Sequence, residues 1–179
     1  MFLVRWVKTK KNALLLLEPI SYKTMENNLE ALLAQAESKH KTISFIVAGG
    51  GMGLFDLFKI KGCSRVLTEA RVLYSNQTIN SFLGSQLTSQ YVSQDTADAL
   101  ASALASKSEA DICFALTCAL MTDRQRLGED HGYLSIHEQG KISYQKYTPV
   151  EGESRLQQDG FISQTTINSV VEYLSIQIL

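Results

Sequence analysis

The stretch from Thr42 to Ala48 (Thr-Ile-Ser-Phe-Ile-Val-Ala) is β-branched and almost wholly apolar, and it runs straight into Gly49-Gly50-Gly51-Met52-Gly53. A strand that is apolar on both faces must be covered on both faces, which places it at the centre of a sheet packed between helices. Three consecutive glycines suit neither helix nor strand, so their cost has to be offset by a backbone need. Two needs fit a strand's carboxyl end just before a helix. Amide N–H groups can aim at an anion, or the backbone can turn tightly and pack close to its neighbours. The pattern lacks both the spacing of a dinucleotide fingerprint and a Walker lysine.

The remaining segments alternate between helix and strand signals. Residues 2–7 and Leu14 to Leu17 read as two strands of an N-terminal hairpin. From Thr24, Met25, Leu29, Leu32, Leu33 and Ala36 recur at helical spacing. A short helix is expected over Leu54 to Phe58, a strand over Val66 to Tyr74, and a short helix from Thr78 to Leu83 ending at Gly84. Ser93 caps the clearest helix, which carries Asp95 in its first turn and buries Ala97, Leu100, Ala101 and Leu104. Asp111 to Thr117 is a second buried strand. Gly132 to His137 and Lys141 to Tyr147 pair as a hairpin about Glu138-Gln139-Gly140. Gly152 to Gly160 reads as a surface loop, with the last helix starting near Ser163 or Thr165 and burying Ile167, Val170, Val171, Leu174 and Ile178. This order implies an α/β fold: three layers, α/β/α, around a mixed, partly antiparallel sheet.

The 179 residues are expected to form one domain, 1–179, with residues 1–22 as an N-terminal extension. Lys plus Arg number 17 against 18 acids, a net charge of −1, which gives no electrostatic footprint for nucleic acid or an anionic membrane. The apolar run Ala13 to Leu17 stops at Glu18-Pro19, short of the ~7–15 residues of a signal-peptide core and far short of the ~20 of a membrane span. Cys63, Cys113 and Cys118 form no CxxC and have no histidine at zinc spacing, so they read as free thiols in a cytoplasmic protein with no metal. No cofactor is implied.

Besides the glycine run, two features could carry chemistry. Tyr74-Ser75-Asn76, at a strand end, could orient a polar ligand or cap the following helix. Thr117-Cys118 leads into a charged loop, Met121 to Gly132, that contains Asp130 and His131, at the end of a strand where α/β proteins place sites. The chain has no GxSxG elbow, no HExxH and no evident Ser/His/Asp set.

Taken in order, these segments resemble the CinA C-terminal-domain family, of the nicotinamide-mononucleotide deamidase type. The matching stretches are Ala48-Gly49-Gly50-Gly51, Gly62-Cys63-Ser64, Tyr74-Ser75-Asn76, Leu83-Gly84, Val92-Ser93 with Ala97, and Ala110-Asp111 leading to Thr117. They span about residues 40–148. The resemblance implies a homo-oligomer and a hydrolase that releases ammonia from the nicotinamide carboxamide. It also implies a serine nucleophile in the glycine-rich segment and a lysine shortly after Tyr-Ser-Asn. The serine position falls here on Ala48 or Gly50 and the lysine position on Ile79, so neither the nucleophile nor the proton carrier is kept. What the family pattern retains is a ligand cradle: Gly49, Gly50, Gly51, Tyr74, Ser75, Asn76 and Thr117; His131, in the loop that follows, is a further ligand-binding candidate.

The first expectation is therefore a nucleotide-binding CinA-like fold without serine–lysine deamidation, holding a small phosphate-bearing nucleotide on backbone amides. A second is an active amidohydrolase with relocated chemistry, using Ser75, Thr117 or Cys118 as nucleophile and His131 or Asp130 as helper. A third is a non-catalytic, homo-oligomeric interaction module whose pocket is filled by Met52, Leu120 and Met121.

Overall fold

The computed structural model describes residues 5–8, 14–17, 22–121, 129–150 and 152–176. Strands β1 (Arg5–Lys8) and β2 (Leu14–Leu17) form an antiparallel hairpin, and residues 2–4 of the expected first strand lie outside the described residues. Helix α1 (Tyr22–Ser38) follows, then β3 (Ile43–Ala48), a 3-10 helix (Met52–Lys59), a 3-10 turn (Cys63–Arg65) and β4 (Leu67–Val72). Next come α2 (Asn76–Leu83), α3 (Gln94–Lys107), β5 (Ile112–Ala119), β6 (His131–Glu138), β7 (Lys141–Tyr147) and α4 (Arg155–Ile176).

Five strands form one sheet in the order β4-β3-β5-β6-β7. β3 is parallel to both β4 and β5, whereas β5, β6 and β7 run antiparallel in succession. The two apolar runs are the two central strands, and every residue of β3 and β5 is buried. Successive side chains alternate between the faces. Phe45, Val47, Phe114, Leu116 and Cys118 pack under α1, α4 and the 3-10 helix. Ile46, Ala48, Cys113 and Ala115 pack under α2 and α3. Phe45 and Phe114 are register partners whose rings stack at 5.3 Å. The three-layer α/β/α architecture is the one the sequence implies.

Capping sets several of the helix boundaries. Ser93 Oγ accepts the Thr96 N–H at 3.2 Å, and Ala97, Leu100, Ala101 and Leu104 of α3 are fully buried. Gly84 closes α2 with φ 73°.

The last helix departs from expectation. It begins at Arg155, not near Ser163, and the expected loop from Gly152 to Gly160 is largely its first turns. The cause is a reciprocal cap. Ser154 N–H donates to Gln157 Oε1 at 2.9 Å, and Gln157 N–H donates back to Ser154 Oγ at 3.4 Å. Burial of Gln158, Phe161 and Ile162 then outweighs the ~1 kcal/mol helix cost of Gly160. Ile178 lies outside the described residues.

A carboxylate clips the entries of the two central strands together. Asp111 Oδ2 accepts from both the amide and the hydroxyl of Thr42 at 2.8 Å, and Thr42 Oγ1 accepts the Asp111 N–H at 3.1 Å. The Thr42 amide foremost, then its hydroxyl and the Lys41 charge, outweigh desolvation and hold the Asp111 carboxyl below its usual value of 3.8. A depressed carboxyl stabilises the fold fully above its unfolded pKa and loses that contribution as pH falls through the folded value. Asp111→Ala is therefore expected to cost about 1 kcal/mol at pH 7, a figure already discounted for solvent exposure. In paired thermal melts, the gap between wild type and variant should narrow as the pH is lowered below about 4.

Candidate functional site

In the order β4-β3-β5, the chain leaves β3 to build one neighbour and returns to build the other on the opposite side. The carboxyl end of β3 is thus a topological switch point, where open α/β sheets leave a crevice. The glycine run sits at that end.

Gly49 and Gly51 take left-handed conformations, φ 83° and 86°. A Cβ on Gly49 would drive into the Cys118 carbonyl oxygen, and one on Gly50 would lie 2.6 Å from Leu120 Cδ1. Close packing against the end of β5 is therefore one need the glycines meet. The other is an anion, supplied by the chain itself. Asp159 Oδ1 accepts from the Gly51 amide at 2.7 Å and the Met52 amide at 3.3 Å, while the Gly53 amide donates to Ser163 Oγ at 3.0 Å. Backbone N–H groups at the start of the 3-10 helix favour such a negative partner.

One turn earlier on α4, Arg155 Nη2 donates to Gly49 O at 2.9 Å and Nη1 donates to Leu120 O. A cation thus holds the carbonyls of the turn region and an anion holds its amides.

Between this turn, the end of β4 and the first turn of α4 lies a cleft of about 420 Å3. Gly49, Gly50, Arg155 and Asp159 supply its polar wall, and Val47, Met52, Val72 and Leu156 its apolar one. Tyr74 also lines it, and the residue is 76% exposed. Met52 is half-exposed, Met121 is exposed and Leu120 is buried behind Gly50, so these three side chains leave the cleft open.

The other expected site residues lie elsewhere. Ser75 caps α2, accepting the Thr78 N–H at 3.1 Å while its own N–H donates to Thr78 Oγ1 at 3.2 Å, and Asn76 is the first residue of that helix. Thr117 is fully buried on the α3 face, its hydroxyl 3.4 Å from the Ser93 carbonyl oxygen. His131 opens β6, with Nδ1 2.7 Å from Glu129 O and its ring edge-on to Tyr133. The structure therefore gathers Gly49, Gly50 and Tyr74 in one cleft, and sets Gly51, Ser75, Asn76, Thr117 and His131 apart from its lining.

Ala48 and Ile79 are buried in the core beneath α2 and α3. Cys118 is 2% exposed, and burial foremost, with the Asp159 charge, pushes its thiol far above the usual range against the opposing pull of Arg155. Among the described residues, no three His, Cys, Asp or Glu side chains gather to hold a metal, and no helix is long and apolar enough to cross a membrane.

Sequence reading missed Arg155 and Asp159, because it placed them in a loop. The available signal was Ser154-Arg155-Leu156-Gln157, the S-x-x-Q form of a helix start, which would have put both charges on one helical face.

Solved structures from several bacteria share this fold. The competence or damage-inducible protein of Enterobacter asburiae superposes with a TM-score of 0.75 at 11% identity, covering 84% of this chain and 98% of its own. A CinA superfamily protein from Klebsiella pneumoniae gives 0.74 at 12%, with coverages of 86% and 98%. The competence/damage-inducible protein CihA of Agrobacterium tumefaciens gives 0.71 at 20%, with 86% and 94%. At these identities the likeness speaks for the fold alone. No curated protein matches the chain in a sequence comparison. The family model for the CinA C-terminal domain matches residues 24–141, from the start of α1 to the first residue of β7, and the chain belongs to that family.

Proposed function

We propose that the chain is a binding protein of the CinA type, whose cleft accepts a nucleotide-sized ligand, a pyridine mononucleotide or a close analogue, without the family's serine–lysine hydrolysis. The observation that carries this reading is the cleft itself, in which an exposed tyrosine faces a glycine turn that brings backbone close to any occupant. Tyr74 offers its ring face for stacking, and the flexible apolar side chains of Met52 and Leu156 can close over a planar group. The amides of Gly51 and Met52 are already engaged by Asp159. The amide cage that the sequence suggested for a phosphate is therefore already occupied.

Catalysis has little to work with here. Ala48 and Gly50 have no nucleophile, Ile79 is a core residue, and Cys118 is held as a buried thiol. Ser75 and Thr117 spend their hydroxyls on helix capping and on the Ser93 carbonyl.

Titration calorimetry with nicotinamide mononucleotide tests the binding reading. Saturable heat is expected at or below millimolar ligand, and Tyr74→Ala should weaken it by ~10-fold, the loss of one stacked ring. No heat at millimolar ligand overturns the proposal.

A further inference from the structure

The two charges lining the cleft are held differently. Both Arg155 terminal nitrogens are turned onto carbonyl oxygens, Gly49 O and Leu120 O. Asp159 engages the turn through Oδ1 alone, and its second oxygen accepts no hydrogen bond from a described residue although the side chain lines the cleft. A carboxylate oxygen keeps two acceptor sites and its share of the charge. The Arg155 guanidinium keeps its charge but is held against two carbonyl oxygens, so the acceptor open to the cleft is the Asp159 oxygen, which attracts a cation or an N–H donor and repels an anion.

We infer that Asp159 sets the charge preference and orientation of the ligand: the group placed against the glycine turn is a planar cation or N–H donor, and any phosphate or carboxylate points away from it. This rests on the proposed binding role of the same cleft and adds which end of the ligand enters. It also reverses the electrostatics that the glycine run suggests in isolation. A bare cradle of amides would draw in an anion, whereas a cradle already holding a carboxylate presents that carboxylate instead.

Three planar probes of one shape and different charge decide the matter: benzamidine, benzamide and benzoate. Their dissociation constants are read by NMR titration of the Gly49, Gly50 and Gly51 amides. In the wild type, benzamidine should bind ~10-fold or more tighter than benzoate, with benzamide between them. In Asp159→Asn the side-chain oxygen still accepts from the Gly51 and Met52 amides, so the turn is held while the charge is gone. The spread should then collapse to about twofold. A purely structural role for Asp159 would shift all three probes together and leave their order intact.

Benzoate binding as tightly as benzamidine, or an order that persists in Asp159→Asn, overturns the inference while leaving the cleft a binding site. No response to any probe overturns both. Should Asp159→Asn fail to fold, the wild type still decides. Raising the ionic strength should weaken benzamidine and leave benzamide unchanged, and equal salt responses overturn the inference.

Discussion

Gly49→Ala is expected to destabilise the protein by about 3 kcal/mol or more, enough to remove much of a typical domain's stability. Two costs add. At φ 83° an L-residue is strained by roughly 1–2 kcal/mol, and an alanine Cβ would enter the Cys118 carbonyl oxygen. That oxygen belongs to β5, whose paired strands β3 and β6 flank it on both sides, so it has little freedom to retreat. Relief would have to come from the turn, and moving the turn breaks the bonds from Arg155 to Gly49 O and from the Gly51 amide to Asp159. Chemical denaturation should show the midpoint falling sharply. The natural comparison is Gly140→Ala, at a glycine of similar φ, 78°, where a Cβ meets nothing within 4 Å. It should cost only the backbone strain, about 1–2 kcal/mol. Equal losses in the two variants would mean that the close approach at β5 contributes nothing.

The same turn shows what the sequence could and could not convey. The layers were legible because their signals are local. Two apolar runs mark central strands, Ser93 and Gly84 mark helix ends, and the alternation of elements fixes the sandwich. The pairing of the glycine run with Tyr74 was suggested by family resemblance, and the fold brings Gly49, Gly50 and Tyr74 to one cleft.

What stayed hidden was the occupant of the amides. Asp159 lies 108 residues from Gly51, and no local pattern links them. The resemblance placed Thr117 beside the glycines, and strand alternation explains why it faces elsewhere. Leu116 and Cys118 face the α4 layer, so Thr117 must face α3. The start of α4 was obscured by Gly152 and Gly160, which read as loop punctuation. The cap at Ser154 and the apolar pair Phe161-Ile162 decide in favour of helix.

Ammonia release from nicotinamide mononucleotide is expected to stay at background, at least ~10,000-fold below a serine-nucleophile enzyme, since removing such a nucleophile costs at least that factor. Nor should restoring the family residues restore the reaction. A serine at Ala48 would point into the core beneath α2 and α3, away from the cleft. At Gly50 its Cβ would lie 2.6 Å from Leu120 Cδ1 and 3.0 Å from Cys118 Cβ. A lysine at Ile79, now 4% exposed and packed with the α3 leucines, would have to bury a charge or give up its proton. Gly50→Ser with Ile79→Lys should therefore lose stability by several kcal/mol and gain no turnover. A coupled ammonia assay on the wild type, this double variant and Cys118→Ala separates the readings. Turnover in the wild type that disappears in Cys118→Ala would establish relocated chemistry at the thiol and end the binding-only proposal. Turnover gained by the double variant would mean that the cleft had kept the rest of the deamidase machinery in working order. Background rates throughout, alongside saturable binding, are what a cleft without a nucleophile should give.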